Sequence, residues 1–471
     1  MAEPLRPDIC VIGAGSGGLS VAAAAAAFHV PTVLIEKGRM GGDCLNTGCV
    51  PSKALIAAAR HAESARRAPR FGVRTGEPAV DFAAVRAHVR GVIDSIAPND
   101  SEERFTRLGV TVIRAAARFR DPGIVVAGGA EIKARRFVLA TGSGPAVPPI
   151  PGLAETPYLT NETVFENAEL PEHLVVIGGG PIGMEMAQAH RRLGARVTVL
   201  EALGTVLARD DPEAAAIVRD AFAREGIAVR TGVKIEAVEP GPPIVVRLAG
   251  GESIACSHLF LAAGRRAVTE NLGLDEAGIA HDARGIKVDV SLRTSNKRVY
   301  AVGDVAGGPQ FTHVANYQAG LVIRSILFRL PVRVDYDSMP WVTYTDPELA
   351  QIGLDEARAR ARRRDIRVLR WPYAENDRAH TERETEGFIK VIATARGRIL
   401  GATIVGAQAG EMANLWSLAL ARGLGMRALA GFVSPYPTLG ELGKRAATSF
   451  FTPRLTGPWV RRTVEFMRVF G

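Results

Sequence analysis

Two closely spaced cysteines are the residues of this sequence with the clearest capacity for chemistry. The segment GGDCLNTGCVPSK (residues 41–53, the cysteine segment) contains Cys44 and Cys49, and the chain has only four cysteines in all. A close pair in so cysteine-poor a chain indicates a redox-active disulfide or part of a metal site. A zinc site is disfavoured because the sequence offers no second cysteine pair. Two inert buried cysteines are the remaining alternative.

Closing a disulfide between these two positions requires an irregular backbone. The Cα atoms of a disulfide lie within about 7 Å, whereas residues i and i+5 of a straight helix are about 8 Å apart. Asn46-Thr47-Gly48 would allow a break before Cys49, and Pro51 suits an early position of the helix that follows. We therefore expect Cys49 near a helix N-terminus, where the helix dipole stabilises a thiolate.

The first 36 residues contain a dinucleotide-binding pattern. An apolar run, DICVI, leads into Gly13, Gly15 and Gly18, an Ala-rich helix pattern follows, and the strand PTVLIE ends at Glu36. In such a unit the glycines permit a tight turn and close packing, the helix N-terminus faces a pyrophosphate, and the acid accepts ribose hydroxyls.

The same unit occurs a second time. HLVVI leads into Gly178, Gly180 and Gly183, and ARVTVLE ends at Glu201; both units place the acid 23 positions after the first glycine. A purely structural role for the glycines, in helix packing, would have to apply twice. The sequence therefore predicts two separate dinucleotide sites.

Three further segments and a C-terminal region complete the organisation. RRFVLATGSG, HLFLAAGRR and RVYAVGDVAGG each read as an apolar strand that ends in a glycine turn, and the last brings Asp304 to that turn. After about residue 340 the pattern changes to one typical of antiparallel strands flanked by helices. Cys10 lies within the first predicted strand and Cys256 just before a later one, and we expect both to pack in the core.

These features together resemble the pyridine nucleotide–disulfide oxidoreductases, which include lipoamide dehydrogenase, glutathione reductase and mercuric reductase. The motifs are GAGSGG, GGDCLNTGCVPSK, ATGS, GGGPIGMEM, AAGR, AVGDVAGG and YTDPELAQIG, and they cover nearly the whole chain. The resemblance implies an α/β fold with two Rossmann-like domains, for FAD and NAD, and a C-terminal α+β dimerisation domain. The implied boundaries are 1–150 (FAD domain, first part, with the cysteine segment), 151–270 (NAD domain), 271–340 (FAD/central domain, second part) and 341–471 (dimerisation domain).

The resemblance also implies the direction of electron flow. Electrons pass from the nicotinamide nucleotide through FAD to the Cys44–Cys49 disulfide, with Cys49 on the flavin side and Cys44 as the sulfur that exchanges with substrate. Lys53 lies one helical turn after Cys49, and the family pairs this lysine, against the flavin, with a glutamate that matches Glu185. An unrelated surface charge is the alternative for each residue taken alone.

Further cofactor contacts are implied at matching motif positions. Beyond the fingerprint glycines and acids, these are Ser16, Gly17, Lys37, Gly42, Lys53, Thr141, Gly142, Ser143, Ile182, Gly264, Gly303, Asp304 and Thr312. The nucleotide preference depends on Glu201, because a carboxylate there binds a free 2′-hydroxyl and repels a 2′-phosphate. The following ALGTV offers no arginine for such a phosphate, so NADH is predicted over NADPH.

One expected residue is replaced. Disulfide reductases of this family carry a C-terminal His-Pro-Thr segment and a glutamate five residues after the histidine, which serve as acid and base in the partner subunit's site. Here the segment is SPYPTLGEL, with Tyr436 at the histidine position and Glu441 retained, and no histidine follows His380. A phenol titrates near pH 10 and is a poor base for a dithiol. His313 is expected to contact flavin or support structure, and His380 is predicted in a turn.

Composition limits the partners. The net charge is +9, yet only ARARARRR (residues 357–364) is a dense basic run, and a solvated surface face is favoured over a nucleic-acid site. The start, MAEPLRPDIC, lacks a secretory signal, so a cytoplasmic location is expected. No apolar run is long enough to span a bilayer. For the tail WVRRTVEFMRVF, packing on the dimer or a neighbouring domain is favoured over an amphipathic membrane anchor, and membrane contact is not expected.

Three functional hypotheses follow for an FAD- and NADH-binding homodimer with shared active sites and no bound metal. The leading one is a lipoamide-dehydrogenase-like disulfide oxidoreductase with an altered acid–base group. The second is a mercuric-reductase-like enzyme that reduces a metal ion such as Hg(II) or Cu(II), or another small acceptor. Against mercury delivery, the sequence has no C-terminal cysteine pair and no N-terminal metal-binding domain. The third is a flavoprotein without turnover that acts as a redox sensor or assembly partner.

Overall fold

The chain divides into two compact units. The computed structural model describes residues 3–455 and 457–470. The first unit contains the chain up to Ala202 together with Val233–Val334, and the second contains Leu203–Gly232 together with the chain from Asp335 onward.

The helices and strands follow one another throughout both units. In chain order the α-helices are α1 (Ser16–Ala27), α2 (Gly42–Asn46), α3 (Cys49–Arg67), α4 (Phe82–Ile96), α5 (Glu102–Arg107), α6 (Pro181–Leu193), α7 (Pro212–Arg224), α8 (Thr312–Phe328), α9 (Glu356–Arg362), α10 (Asp377–Glu382), α11 (Ala409–Ala421), α12 (Met426–Gly431), α13 (Glu441–Ser449), α14 (Thr452–Leu455) and α15 (Pro458–Met467). The strands are β1 (Ile9–Ile12), β2 (Thr32–Ile35), β3 (Thr111–Ile113), β4 (Ala117–Asp121), β5 (Ile124–Ala127), β6 (Ala130–Ile132), β7 (Arg136–Leu139), β8 (Ser143–Pro145), β9 (His173–Ile177), β10 (Arg196–Leu200), β11 (Ala228–Arg230), β12 (Ile235–Glu239), β13 (Ile244–Leu248), β14 (Ser253–Cys256), β15 (His258–Leu261), β16 (Arg265–Ala267), β17 (His281–Asp282), β18 (Gly285–Ile286), β19 (Val299–Ala301), β20 (Pro340–Thr343), β21 (Glu348–Gly353), β22 (Ile366–Pro372), β23 (Phe388–Thr394) and β24 (Ile399–Gly406).

A five-stranded parallel sheet forms the centre of the first unit. Its strand order is β19-β7-β1-β2-β3. Most positions of the central strands are apolar and buried, as is typical of parallel strands covered on both faces. Ile9 and Val11 of β1 pack with α1 and α8, while Cys10 and Ile12 pack towards the antiparallel strands β4, β5 and β6. The predicted Rossmann-like architecture is confirmed here.

A second set of parallel strands surrounds the second glycine fingerprint. Strand β9 lies between β10 and β15 and is parallel to both, and α6 connects β9 to β10. Val175 and Ile177 of β9 share a core with Val246 and Leu248 of β13, which belongs to the antiparallel sheet β12-β13-β14. The repeated strand–helix–strand unit of the sequence is therefore present twice in the first unit.

The second unit has the predicted α+β texture. Its antiparallel sheet has the order β20-β21-β24-β23-β22. Helices α11 and α13 pack closely: a Cβ at Gly443 of α13 would lie 3.1 Å from the ring of Trp416, which is buried in this core. Glycine at this position lets the helix approach the indole.

A buried ion pair holds α7 in the second unit. Asp211 caps the N-terminus of α7 and accepts bonds from Lys390 Nζ of β23 at 3.0 and 2.9 Å. Glu213 accepts from the same ammonium at 2.9 Å. Because Lys390 and Asp211 are both buried, removing either partner would leave an unpaired buried charge and destabilise the unit strongly.

The C-terminal helix α15 is exposed within its own subunit. Trp459, Phe466 and Phe470 are all exposed to solvent there, so the expected packing of this tail on the dimer stays a prediction. Within residues 3–455 and 457–470, no helix combines the length and apolar character needed to cross a bilayer.

Candidate active site

The three glycines of the first fingerprint have different steric roles. Gly13 has φ +103°, and a Cβ there would lie 2.4 Å from the Ala140 carbonyl oxygen. A Cβ on Gly18 would lie 1.9 Å from the Gly13 carbonyl oxygen. Gly15 caps α1, and a Cβ there would meet only Gly42, at 4.0 Å. The outer glycines are required by the turn and by packing, and the middle one faces open space, so the loop fits a pyrophosphate at the N-terminus of α1.

The second fingerprint repeats this arrangement. Gly178 has φ +113°, and a Cβ there would lie 2.3 Å from the Ala262 carbonyl oxygen. A Cβ on Gly183 would lie 2.0 Å from the Gly178 carbonyl oxygen, while one on Gly180 would meet nothing within 4 Å. Gly180 caps α6. The first unit therefore contains two loops shaped for dinucleotide pyrophosphates, as the sequence predicts.

Each fingerprint acid lies against its own glycine loop. Glu36 accepts the backbone N–H groups of Ala14 and Gly38, both at 2.6 Å. Glu201 accepts the backbone N–H of Gly179 at 2.6 Å. A carboxylate has more acceptor positions than these bonds use, so both acids are held in place with capacity left for ribose hydroxyls.

The other predicted cofactor residues gather where parallel strands end. Ligands of open α/β sheets bind outside the carboxyl ends of the strands. Ser16 and Gly17 begin α1, Ile182 lies in the first turn of α6, and exposed Lys37 follows β2; Thr141, Gly142 and Ser143 follow β7, Gly264 follows β15, and Gly303 and Asp304 form a 3₁₀ turn (Gly303–Ala306) after β19.

The cysteine segment packs directly on the first fingerprint. Gly42, at φ +59°, begins α2, and a Cβ there would lie 2.6 Å from the Gly15 Cα. Asn46 donates to the carbonyl oxygens of Met40 and Gly42, at 2.9 and 2.8 Å. The segment that carries both sulfurs is therefore held beside the loop shaped for a pyrophosphate.

The helix break before Cys49 is confirmed. Helix α2 carries Cys44 and ends at Asn46, and α3 begins at Cys49. The N-cap of α3 is Gly48, with φ −129° and ψ −110°. Cys49 is therefore the first residue of a 19-residue helix, at its positive end.

The pKa values of the two thiols are shifted in opposite directions. A hydrogen bond from Cys44, together with Thr312 and the Lys53 charge, lowers the pKa of Cys49 to about 6 against the effect of burial. Cys49 Sγ lies 3.4 Å from Thr312 Oγ1, at the start of α8. The hydrogen bond to Cys49 and burial raise the pKa of Cys44. Cys49 is thus the thiolate and Cys44 the neutral partner that donates to it.

This difference predicts selective alkylation in the reduced holoenzyme. Because the thiolate is the nucleophile and its fraction rises with pH through the pKa, iodoacetamide should label Cys49 increasingly as pH rises through about 6. Cys44 should stay unreactive until far higher pH. Tandem mass spectrometry of the peptide that contains both cysteines measures this. Parallel labelling of both thiols with a midpoint of about 8.5, the ordinary cysteine value, would contradict it.

The predicted Lys53–Glu185 pair is formed. Lys53 Nζ of α3 lies 2.8 Å from Glu185 Oε2 of α6. The Glu185 side chain is only 7% exposed, so its carboxylate depends on a cationic partner. The pair joins the cysteine helix to the helix of the second fingerprint.

Tyr436 is held by a residue that the sequence analysis missed. Its hydroxyl donates to Asp377 Oδ2 at 2.9 Å, and this bond raises the pKa of the Tyr436 phenol. The preceding Asn376 caps α10 and donates to the Thr438 carbonyl oxygen at 3.0 Å. Asn-Asp predicts a helix start, but nothing local indicates that it faces residue 436. Glu441 begins α13.

The structure places His380 and His313 in helices. The predicted turn at His380 is wrong, since that residue lies in α10 because Asn376 caps the helix. His313, in the first turn of α8, stacks on Phe311 with ring centroids 5.3 Å apart.

The other two cysteines are buried, as predicted. Cys10 is fully buried in β1, and Cys256, at the end of β14, is 2% exposed. Burial raises the pKa of both thiols, that of Cys256 to about 11. Within the part of the chain that the structure describes, no group of three or more His, Cys, Asp or Glu side chains could hold a metal ion.

Family comparisons identify the chain. Residues 7–319 match the family described as pyridine nucleotide-disulphide oxidoreductase, and residues 339–447 match the dimerisation domain of that family. The chain belongs to the pyridine nucleotide-disulphide oxidoreductases. These oxidoreductases are FAD-dependent and use NAD(P)H, which agrees with the two dinucleotide-shaped loops, and the C-terminal unit is a dimerisation domain.

Similar members of the pyridine nucleotide-disulphide oxidoreductase family carry two different names. The chain is 37% identical over 455 residues to a mercuric reductase from Streptomyces lividans, covering 94% of this chain and 96% of that protein. It is 34% identical over 454 residues to a dihydrolipoyl dehydrogenase from Geobacillus stearothermophilus, with 94% and 96% covered. Both names support the family and leave the acceptor open.

Two solved structures are close in fold to this chain. The Cu(II) complex of the HOCl-induced flavoprotein disulfide reductase RclA from Escherichia coli matches with a TM-score of 0.85 at 27% identity, covering 93% of this chain and 99% of that one. LpdA from Mycobacterium tuberculosis matches with a TM-score of 0.87 at 26% identity, covering 94% and 99%.

Proposed function

We propose that this oxidoreductase is an NADH-dependent flavoprotein in which an electron pair from NADH reduces the Cys44–Cys49 disulfide and then a thiol-binding metal ion, such as Hg(II) or Cu(II), that the two sulfurs hold. FAD, when bound, supplies the ring that accepts a hydride from NADH and reduces the disulfide. The first fingerprint, Lys37, Lys53, the Thr141–Ser143 turn, Asp304 and Thr312 would hold FAD, and the second fingerprint with Ile182, Glu201 and Gly264 would hold NADH. The domain division predicted from the sequence is part of this proposal.

The chain's own residues supply the thiol chemistry. Cys49, acidic at the start of α3, binds a soft ion as thiolate, because soft metals prefer thiolate ligands. Neutral Cys44 loses its proton to solvent as it becomes the second sulfur ligand. Lys53 and Glu185 hold α3 against α6 and place a positive charge one turn from Cys49.

The electron pair comes from NADH, so the electrons balance with no other reductant. Two thiolates bind Hg(II) as a stable complex without reducing it, so the electron pair that yields Hg(0) would be supplied by reduced FAD while the two sulfurs hold the ion. With Cu(II), each of two ions takes one electron and becomes Cu(I). Neither reaction produces a leaving thiolate that an acid must protonate, whereas the reduction of a disulfide acceptor does.

One observation favours a metal ion over a disulfide as the acceptor, namely the hydrogen bond from Tyr436 to Asp377. The phenol donates to a carboxylate that raises its pKa, so it stays protonated where disulfide-specific relatives are expected to carry a base. Tyr436 and Glu441 of one subunit are proposed to line the acceptor site that contains the other subunit's cysteine pair. The mercuric reductase name and the Cu(II) complex among the relatives support the same acceptor class.

Steady-state NADH oxidation by the purified holoenzyme tests this proposal. Hg(II) or Cu(II) with excess small thiol, and lipoamide, are the acceptors to compare. We expect kcat/KM for a metal ion to exceed that for lipoamide by about 10²-fold or more, since a missing general base costs about 10²–10⁴-fold. Lipoamide turnover equal to or faster than metal turnover would overturn the metal proposal. Flavin reduction without turnover on any acceptor would overturn both and support a sensor.

A lipoamide-dehydrogenase-like activity is the second candidate. It is favoured by the 34% identity to a dihydrolipoyl dehydrogenase over nearly the full length of both chains and by the retained Glu441. In the direction of dihydrolipoamide oxidation, the dithiol must reach the cysteine disulfide already ionised, so turnover in that direction should rise with pH towards the substrate thiol pKa of about 8.5.

Glu201 is expected to set the nucleotide preference. It is held at the end of β10 by the Gly179 N–H, where it would bind the ribose hydroxyls. A hydrogen bond to a charged group is worth about 1.5–3 kcal/mol, so NADH should reduce the flavin about 10–100-fold more efficiently than NADPH. Glu201→Ala should remove most of this ratio, and exposed Glu172→Ala is the matched control. Stopped-flow flavin reduction measures the ratio; an unchanged ratio in Glu201→Ala would contradict the assignment.

A further inference from the structure

Arg265 connects three segments of the first unit. It begins β16, which pairs antiparallel with β8 and sets Arg265 opposite Pro145. Its Nε donates to Ser143 Oγ at 2.7 Å, and its Nη2 donates to Ser143 O and Asp43 Oδ2, both at 2.9 Å. The Arg265 side chain is only 13% exposed, so its charge depends on these partners.

The hydrogen bonds have a fixed direction. A guanidinium only donates, so the Ser143 hydroxyl accepts from Arg265 and gives its own proton to Asp304 Oδ2. Arg265 Nε also lies 3.7 Å from that carboxylate oxygen. Asp304, which is proposed to bind cofactor hydroxyls, is therefore oriented and partly neutralised by Arg265.

Asp43 anchors the cysteine segment from the other side. It directly precedes Cys44, and its Oδ1 accepts from Thr47 Oγ1 at 2.6 Å and from buried Asn161 Nδ2 at 2.9 Å. Asn161 also donates to the Thr47 carbonyl oxygen at 3.3 Å. The backbone between the two sulfurs is thus tied to a fixed carboxylate.

That carboxylate opposes thiolate formation. The hydrogen bond from Cys44 has the largest effect on the pKa of Cys49 and lowers it, and the Lys53 charge acts in the same direction. The negative charge of Asp43 acts more weakly and raises the pKa of both thiols, because like charges disfavour ionisation. Without a cation next to Asp43, this carboxylate would hold the cysteine segment in place but would also disfavour the Cys49 thiolate. The guanidinium of Arg265 is the cation in contact with it.

We propose that Arg265 is a positioning residue for this reaction: it neutralises Asp43, so that the cysteine segment can be anchored by a carboxylate without loss of the Cys49 thiolate, and it couples that anchor to Asp304. The proposal deepens the proposed function and rests on its thiol chemistry, but not on the identity of the acceptor. Neither Arg265 nor Asp43 is a reacting group. Arg265 acts through the charge of Asp43, and Asp43 acts through that charge and through its hydrogen bonds to the cysteine segment.

A double-mutant cycle on the reduced holoenzyme tests the coupling. The readout is the pH midpoint of Cys49 alkylation by iodoacetamide. Arg265→Met should raise the midpoint by about 0.5 pH unit, roughly a 2-fold slower alkylation at pH 6, and Asp43→Asn should lower it by a similar amount. The double variant should return to within about 0.2 unit of the wild type. Arg266→Met is the matched control, because that neighbouring side chain is exposed and pairs with Glu270.

Opposite signs are the decisive outcome, since a merely structural role would move both single variants in the same direction. Equal shifts in Arg265→Met and Arg266→Met, or a raised or unchanged midpoint in Asp43→Asn, would overturn the proposal. Should Arg265→Met fail to fold, Asp43→Asn alone decides, because it keeps Arg265 and its bonds to Ser143. A wild-type midpoint at the ordinary thiol value would instead count against the proposed thiol chemistry as a whole.

Discussion

Cys49→Ser should remove the long-wavelength thiolate-to-flavin absorption of the NADH-reduced holoenzyme and lower acceptor turnover by about 10³-fold or more, the order of loss seen when an essential nucleophile is removed. The reason is that Cys49 is the acidic thiol at the start of α3, and serine cannot supply a thiolate at neutral pH. Anaerobic absorption spectra and steady-state NADH oxidation measure both effects.

Cys44→Ser is the matched control for this result. It should retain a Cys49 thiolate, and so keep the long-wavelength band even without added reductant, because no disulfide can form. Acceptor turnover should still be lost. The shorter side chain of the introduced serine leaves its hydroxyl farther from Cys49 Sγ than the Cys44 thiol, so the Cys49 midpoint should rise from about 6. Full activity in either single variant would contradict a role for the disulfide.

Tyr436→His should raise lipoamide turnover by about 10²–10⁴-fold, the typical contribution of a positioned acid–base group. An imidazole titrates near pH 6.5, whereas the Tyr436 phenol is kept protonated by its bond to Asp377. The neighbouring Asp377 carboxylate would favour the protonated imidazole, so the gain should be largest above neutral pH. Steady-state kinetics from pH 6 to 9 with lipoamide measure the change.

Tyr436→Phe distinguishes the effect of adding a base from the effect of removing the phenol hydroxyl. It deletes the hydroxyl without adding a titratable group, so lipoamide turnover should stay as low as in the wild type. A gain in Tyr436→Phe as large as in Tyr436→His would show that the tyrosine blocks the site sterically. No gain in either variant would contradict the view that residue 436 limits dithiol chemistry.

Local sequence signals predicted most of the fold and the redox segment. Each glycine fingerprint specifies a turn that only glycine can form at Gly13 and Gly178, and the strands on either side are mostly apolar. The helix break before Cys49 follows from Gly48 and from the distance that a disulfide permits. In all these cases the determining residues lie within a few positions of one another.

Contacts between distant segments were not predictable from one sequence. Arg265 and Asp43 are 222 positions apart, Asn161 and Asp43 118, and Tyr436 and Asp377 59. Each pair joins two polar residues, and neither sequence periodicity nor a motif indicates that the two are partners. The AAGR motif marked the region of Arg265, but its bond to the cysteine segment depends on the pairing of β16 with β8. Tertiary structure is therefore needed to see what sets the charge around the cysteine pair.

Anaerobic titration of the purified holoenzyme with dithionite tests the central claim most directly. Two sulfurs that relay electrons beside the flavin should take up one electron pair before the flavin is bleached, with the long-wavelength absorption appearing at that stage, and a second pair should complete the reduction. Uptake of a single electron pair per subunit, with direct bleaching of the flavin and no long-wavelength absorption, would contradict the account.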